Sequence, residues 1–514
     1  MKNNVVRASF VVAIIGIISK IMGTVRQSLI AYSFGQSALT DAYNSAYKIA
    51  FLSTVLLNAS IVMVIIPIMD KAKTKEGLEG KNRFFNNAST LVLVSNIVLS
   101  IISVIGARLL VDLVSPGFSE EIKNITVDLV RIISPSIIFL GVSICLGAYQ
   151  QSNFIFAPYA AVGIINNIVF YIYLLIMGKE ASIYGLGIIT SLGAVAQMIF
   201  MIPFMRKQDI AYKPHLDLQS DYMKDAMSMF MPLMLLQGVA QIDVFVTNAL
   251  ATNIETGMVS VLDNAYRLFS AFMNLFVMTI STVLFPLLSE AFNKKDYTSI
   301  KKMVRDGMDF IALILIPASI GVIALATPIV QVVYERGKFT ALDTEMTKAA
   351  LIGYAIGMLG NGLKVFYNRL FISFQDSVIP FINVVFNTVS NVLLALLLII
   401  PLSFRGLALA QGLAGILSAV LFMYHFKKKI PDIHYKTSII NFCKLFIIAA
   451  VMGVAVHYIY ETIVSYIGNS NLQVLIAMSG AILVGLVIYI FGIYLLKIDS
   501  VIRWMDHFKK KVKR

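Results

Sequence analysis

What most constrains this chain is a succession of apolar runs, each near or beyond the roughly 20 residues that an α-helix needs to cross a bilayer. Hydrocarbon offers backbone N–H and C=O groups no water, so a segment crossing it must satisfy them internally, as a helix does. With a window of about 19 residues the runs fall near 8–32, 41–69, 84–113, 122–149, 155–177, 183–205, 221–251, 258–289, 305–334, 344–373, 377–401, 404–426, 438–464 and 471–497. The predicted fold class is an all-α polytopic membrane protein of about 14 transmembrane helices. Composition agrees: 58% of the 514 residues are hydrophobic and 14% charged, where a soluble domain has roughly 45–50% and about 25%. The connections left between the runs are too short for an extramembrane catalytic domain. Lys2 and Arg7 precede the first run as they would in a signal peptide. No small-residue cleavage site follows, so the run is expected to stay in the mature chain.

The charges orient the helices. Counting alternate connections from the N-terminus, one side carries 27 of the 42 lysines and arginines and the other side six, with nine inside the runs. Cytoplasmic connections are the basic ones, so both termini are expected in the cytoplasm, as an even number of spans requires. The formal net charge of +14 then calls for no nucleic acid. The tail Lys509-Lys510-Lys511-Val512-Lys513-Arg514 is expected to meet anionic membrane lipids. Cys145 and Cys443 show no metal or disulfide spacing. Nor do the five histidines show metal spacing, and no P-loop, nucleotide-binding glycine motif or nucleophile elbow is present. A transporter, not an enzyme, is the expectation, with no cofactor and with Na⁺ or the membrane potential as driving force.

An internal repeat divides the chain. Ala46-Tyr47-Lys48, Pro67 and Ala72 recur as Ala265-Tyr266-Arg267, Pro286 and Ala291, each 219 residues on. Six spans separate the copies, so the halves are expected to be parallel repeats. The expected organisation is an N-lobe of six helices over 1–210, a C-lobe of six over 211–430, and two added helices with the basic tail over 431–514.

Charge inside a span is costly, at least about 2.5–3.5 kcal/mol per Lys or Arg at a helix centre. Arg108, Arg131, Arg369 and Lys444 lie close enough to helix ends to snorkel. Lys20, Arg26, Lys48, Arg267 and Lys364 do not have that escape. Asp41, Asn44, Ser45 and Lys48 recur at i, i+3, i+4 and i+7, hence on one helix face. Asn361, Lys364 and Asn368 form a second polar stripe, and Asp263 and Arg267 stand four apart. Internal ion pairs, Asp41 with Lys48 or Arg26 and Asp263 with Arg267, would account for some of these charges. Cations nevertheless outnumber acids on the stripes, which points to an anionic ligand such as phosphate. Asp243, and Asn383, Asn387 and Asn391 at spacings of four, offer oxygens that would either hold Na⁺ or hydrogen-bond between helices.

Several stretches are similar to the MurJ (MviN) lipid II flippases of the MOP exporter superfamily. They are Ile17-Ile18-Ser19-Lys20-Ile21-Met22-Gly23-Thr24-Val25-Arg26, then Phe34-Gly35 and Thr40-Asp41-Ala42-Tyr43; Tyr266-Arg267-Leu268 with Leu284-Phe285-Pro286; and Tyr334-Glu335-Arg336-Gly337-Lys338-Phe339-Thr340-Ala341-Leu342-Asp343. Gln27 stands where the family often has an acid, and Leu57-Asn58-Ala59 where many members have Glu-Gly-Ala. The resemblance implies two six-helix lobes, a central cationic cavity, and a groove for an undecaprenyl tail formed by the last two helices, in the bacterial cytoplasmic membrane. It implies lipid II as the partner, translocated between leaflets by alternating access, with cell-wall synthesis proteins as further partners. The substrate-binding residues it implies, together with the stripe analysis, are Lys20, Arg26, Asp41, Lys48, Arg267 and Lys364. Its sodium site would draw on Asp243, Asn387 and Asn391. Export of another undecaprenyl-linked oligosaccharide is the nearest rival, followed by cation-coupled drug export, which a net-cationic cavity disfavours.

Overall fold

A computed structural model describes residues 2–206, 208, 210, 212–294 and 296–496. The basic tail and the lipid contact expected of it lie outside the described residues. All regular structure within them is helical. Packing divides the chain into two compact units, residues up to 260 with 336–340, and residues 261–335 with 341 onward. This grouping follows contact, whereas the expected boundary at 210/211 follows the sequence repeat.

The first unit contains α1 (Lys2–Phe34), α2 (Ala38–Ser53), α3 (Ala59–Ile105), α4 (Ala107–Val114), α5 (Glu120–Ile133), α6 (Ser136–Ser152), α7 (Ala157–Met177), α8 (Ile183–Arg206) and α9 (Asp221–Thr252), and the start of α10 (Met258–Asn293). One π-helical turn, Thr54–Asn58, joins α2 to α3. At 1.5 Å per residue, the 47 residues of α3 would stretch about 70 Å, more than twice the roughly 30 Å hydrocarbon core. The helix instead reverses at Gly77, whose φ of 70° and ψ of −158° lie in a region open essentially to glycine alone. Ile61, Ile65 and Met69 before the reversal share a buried cluster with Phe84, Ala88 and Val92 after it. A second cluster joins α1, α2, α5, α7 and α8 through Phe34, Ala46, Ile133, Phe170 and Leu186.

The second unit takes the rest of α10, then α11 (Tyr297–Ala324), α12 (Ala326–Tyr334), α13 (Ala341–Ile356), α14 (Met358–Ser373), α15 (Val378–Leu402), α16 (Phe404–Lys429), α17 (Lys436–Ile467) and α18 (Asn471–Leu495). The last pair is packed on α11: Ala312 and Ile316 share a core with Ala449, Met452, Ala477 and Ala481. The Tyr489 hydroxyl donates to the Leu313 carbonyl at 2.9 Å.

Eleven helical runs among the described residues are long and apolar enough to span a bilayer, or twelve with the bent pair α13 and α14 counted as one span. The fourteen expected spans are consistent with this, because the run Thr54–Ile105 holds two limbs and α10 coincides with another expected span. Four expected spans are broken where the sequence was read as continuous. The break at Ser134-Pro135 follows from proline, which lacks an N–H and disfavours helix in the residue before it. Leu325 interrupts the span that resumes as α12, and Gly106 separates α3 from α4. At Gly357 the helices bend by 48°, and an added Cβ would come within 2.2 Å of the Gly412 Cα. Small residues there let α16 approach closely, as interhelical contacts in membranes require.

Gly77 provides the test of the hairpin. An added Cβ at this position meets nothing within 4 Å, so a side chain acts through the backbone alone. Both Gly77→Ala and Gly77→Asn are expected to lose about 1–3 kcal/mol, seen as a lowered unfolding temperature of the purified protein. Full tolerance of Asn would mean that the turn is an ordinary left-handed one.

Candidate functional site: polar and cationic groups on the spanning helices

The stripe on α2 is a structural fact, because its members meet common partners. The carboxylate of Asp41, 1% exposed, accepts from the Gly257 N–H at 2.6 Å, the Ser260 N–H at 2.8 Å and the Ser260 hydroxyl at 2.5 Å. Asp41 therefore sits at the N-terminus of α10, where the helix leaves N–H groups unpaired and its dipole favours negative charge. Asp41 and Ser260 are equivalent positions of the 219-residue repeat. One turn along α2, the Asn44 amide donates to the Ser260 hydroxyl at 3.4 Å.

The next turn carries the lysine. Lys48, half-buried, donates through Nζ to Oδ1 of Asn248 on α9 at 2.9 Å. The Asn248 amide reaches the Ser45 hydroxyl at 3.2 Å, the Val114 carbonyl at 2.9 Å and the Ser115 hydroxyl at 3.2 Å. Asn248 thus ties α2, the end of α4 and α9 together from a site 2% exposed. Sequence reasoning passed over it, although a lone asparagine in the apolar run of α9 was the available signal, since polar groups inside spans commonly bond between helices.

On α1, Arg26 is half-buried with its guanidinium carbon 4.7 Å from the centre of the Phe170 ring, within cation–π range. α7 holds this part of α1 by side chain to backbone bonds: the Asn167 amide donates to the Ser19 carbonyl at 3.1 Å, and the Tyr171 hydroxyl to the Met22 carbonyl at 2.5 Å. Lys20 is exposed and makes no ion pair among the described residues. The motif Arg336–Thr340 also belongs to this unit. The Lys338 N–H donates to the Tyr32 carbonyl at 2.9 Å, Gly337 at φ 67° packs on Tyr32, and Phe339 is buried. This most recognisable stretch of the sequence is thus a docked strap at the end of α1.

In the second unit Arg267 is exposed on α10 and enters no ion pair among the described residues, so the expected pairing with Asp263 is not formed. Neighbouring Tyr266 is ring-stacked edgewise on Tyr354, centroids 5.6 Å apart. Lys364 on α14 donates to Oδ1 of Asn387 on α15 at 3.2 Å. Of the asparagine series on α15, Asn383 serves helix packing: its amide donates to the Ser418 carbonyl at 2.9 Å, and its Oδ1 accepts from the Ser418 hydroxyl. Asn391 is buried on the same helix, while Asp243 is buried on α9 of the first unit. Three of the four cations read as snorkelling have partners. Arg108 pairs with Asp112 at 3.0 Å and Glu120 at 2.6 Å, and Arg131 lies 3.6 Å from Asp128. Lys444 reaches the Leu496 carbonyl, just past α18, at 3.5 Å.

A groove of about 440 Å³ opens between α11, α17 and α18, lined by Leu313, Pro317, Met452, Val456, Ile482 and Tyr489 among others. Its walls are almost wholly apolar. α11 supplies one of its walls beside the last two helices.

A family model described as "Lipid II flippase MurJ" matches residues 30–477. A protein of Rickettsia prowazekii named "Probable lipid II flippase MurJ" is 27% identical over 498 residues, 96% of this chain and 98% of its own length. The "Lipid II flippase MurJ" of Burkholderia cenocepacia is 24% identical over 436 residues, 83% of this chain and 84% of its own. Among solved structures, "Lipid II flippase MurJ, inward closed conformation" superposes with a TM-score of 0.80 at 24% identity, covering 96% of this chain and 100% of that one. An inward-facing multidrug resistance MATE family transporter of the MOP superfamily gives 0.70 at 14% identity, covering 82% and 98%. At these identities the structural likeness is one of fold.

The α2 joint is testable. Replacing Asn248 by Leu removes the Lys48 acceptor and all three bonds of the amide, and should cost about 1–3 kcal/mol, read as a lower unfolding temperature. Combining it with Lys48→Met should recover part of that loss, since the lysine no longer needs an acceptor. Purely additive losses would show that the two do not interact.

Proposed function

The chain belongs to the lipid II flippase MurJ family, and from that premise we propose that it carries lipid II from the inner to the outer leaflet of the bacterial cytoplasmic membrane. The movement is alternating access, with no bond made or broken. Lys20 and Arg26 of the first unit and Arg267 and Lys364 of the second are the donors proposed for the pyrophosphate. The observation that carries this reading is that Lys20 and Arg267 stand on long helices of the membrane fold with no ion pair among the described residues. A cation there persists beside a counter-charge or in a water-filled cavity, and a pyrophosphate supplies the counter-charge. Charge-assisted hydrogen bonds of this kind contribute roughly 1.5–3 kcal/mol each. The same excess of positive charge disfavours a cationic drug as substrate.

Asp41 and Lys48, grouped with these donors on sequence grounds, have a different part in the proposal. Their bonds to the start of α10 and to Asn248 hold α2 in place, so they act on the substrate by positioning. The apolar groove on α11, α17 and α18 suits the undecaprenyl tail, which stays in lipid while the headgroup crosses. Both termini lie in the cytoplasm in this reading, and an ion gradient or the membrane potential drives the cycle. Anionic lipids and cell-wall synthesis proteins are its further proposed partners.

The deciding measurement is the sidedness of lipid II in cells depleted of the protein, using an externally added enzyme that cleaves only outward-facing precursor. The cleavable pool is expected to vanish on depletion and to return with wild-type protein, but not with Arg26→Ala or Arg267→Ala made at normal levels. A pool that persists through depletion would reassign the chain to another undecaprenyl-linked oligosaccharide. Full rescue by both variants would remove the cations from the mechanism.

A further inference from the structure

A second cavity, of about 370 Å³, lies wholly within the first unit, between α3, α6 and α8. This volume is in the range of ligand-binding pockets. Its walls are stripes at helical spacing: Phe85, Ser89 and Leu93 on α3, Val142 and Leu146 on α6, and Met198, Ile202 and Arg206 on α8. Residues four apart lie one above another on a helix, so the eight steps from Met198 to Arg206 give the cavity a depth of about 12 Å at 1.5 Å per residue. It is long, narrow and apolar for most of that length. Its one charged lining residue among the described residues, Arg206, is the last residue of α8. Arg206 is exposed and makes no ion pair or hydrogen bond among the described residues. Tyr212 also lines the cavity, and its hydroxyl lies 2.9 Å from that of Thr90. No carboxylate lines it among the described residues.

We infer that this cavity is a binding site for one anionic glycerophospholipid, its acyl chain between α3, α6 and α8 and its phosphate on Arg206. An acyl chain matches an elongated apolar slot, and an arginine at one end with no ion pair among the described residues matches a phosphate, which guanidinium recognises by paired hydrogen bonds. The position fits as well. The excess of lysine and arginine in the connection after α8 puts the Arg206 end at the cytoplasmic face, where anionic lipids attract basic groups and basic pockets between spans bind their headgroups. The groove proposed for the undecaprenyl tail is lined by other residues, on α11, α17 and α18, and none of the proposed pyrophosphate donors lines this cavity.

The test uses the full chain with its one native tryptophan, Trp504, replaced by Phe and a reporter tryptophan introduced by Met198→Trp at the deep end of the slot. Reconstituted in vesicles, the reporter should be quenched at least about threefold more effectively by phosphatidylglycerol brominated on its acyl chains than by equally brominated phosphatidylcholine. Arg206→Gln should bring the two lipids to equality, and high salt should weaken the preference. In parallel, protein of native sequence in detergent should gain several degrees of unfolding temperature from added phosphatidylglycerol over phosphatidylcholine, and Arg206→Gln should erase that difference. Equal quenching by both lipids, or a preference that survives Arg206→Gln, would overturn the proposal. Neither readout depends on lipid II transport, so failure here leaves the proposed function untouched.

Discussion

A peptide group in hydrocarbon has no solvent to fall back on, and the rest of this structure depends on that. Every segment long enough to cross the bilayer is helical because a helix closes its own hydrogen bonds. The length of the bilayer then decides where the chain must turn, which is why a 47-residue helix folds back at a single glycine. Breaks such as Ser134-Pro135 and Gly357 occur beside other helices, which shield the interrupted backbone from lipid.

The same accounting applies to side chains. Asp41 is tolerable within the first unit because three N–H and O–H donors surround its carboxylate, two of them from backbone at the start of α10. Lys48 is tolerable because Asn248 meets it, and Asn248 in turn has every polar atom of its amide engaged. These are joints: they fix α2 against α9 and the first turn of α10 with hydrogen bonds whose loss would strand a polar group in a low-dielectric interior. A polar face on a membrane helix is therefore ambiguous until its partners are known. Here the α2 face is a fixed contact, while Lys20 of α1 and Arg267 of α10 enter no ion pair among the described residues.

That distinction bears on transport. A flippase has to hold an anionic headgroup and release it, so its donors cannot be consumed by permanent ion pairs. Arg26 is held against Phe170 by a cation–π contact, which orients the guanidinium. Apolar surfaces divide the remaining labour. One groove, of about 440 Å³ on α11, α17 and α18, is almost wholly apolar, and the slot on α3, α6 and α8 ends at a cation as a phospholipid site would.

Much of the fold was legible in the sequence because its signals are local. Run length separates spans from loops, and a period of 3.6 residues places Asp41, Asn44, Ser45 and Lys48 on one face without knowledge of what that face meets. The breaks at Gly106, Leu325 and Gly357 were not legible, since a helix tolerates a glycine or an ordinary residue unless a neighbour makes interruption favourable. Asn248 was passed over for a related reason: its importance lies in Lys48 and Ser45, some 200 residues away, and in Val114 and Ser115. By itself, then, the sequence determined that this chain is a bundle of membrane helices, which of their faces are polar, and where the excess positive charge lies, because each of these follows from residues near one another along the chain. Only the tertiary structure decided which polar groups are spent on holding helices together, because that depends on partners that folding alone brings within hydrogen-bonding distance.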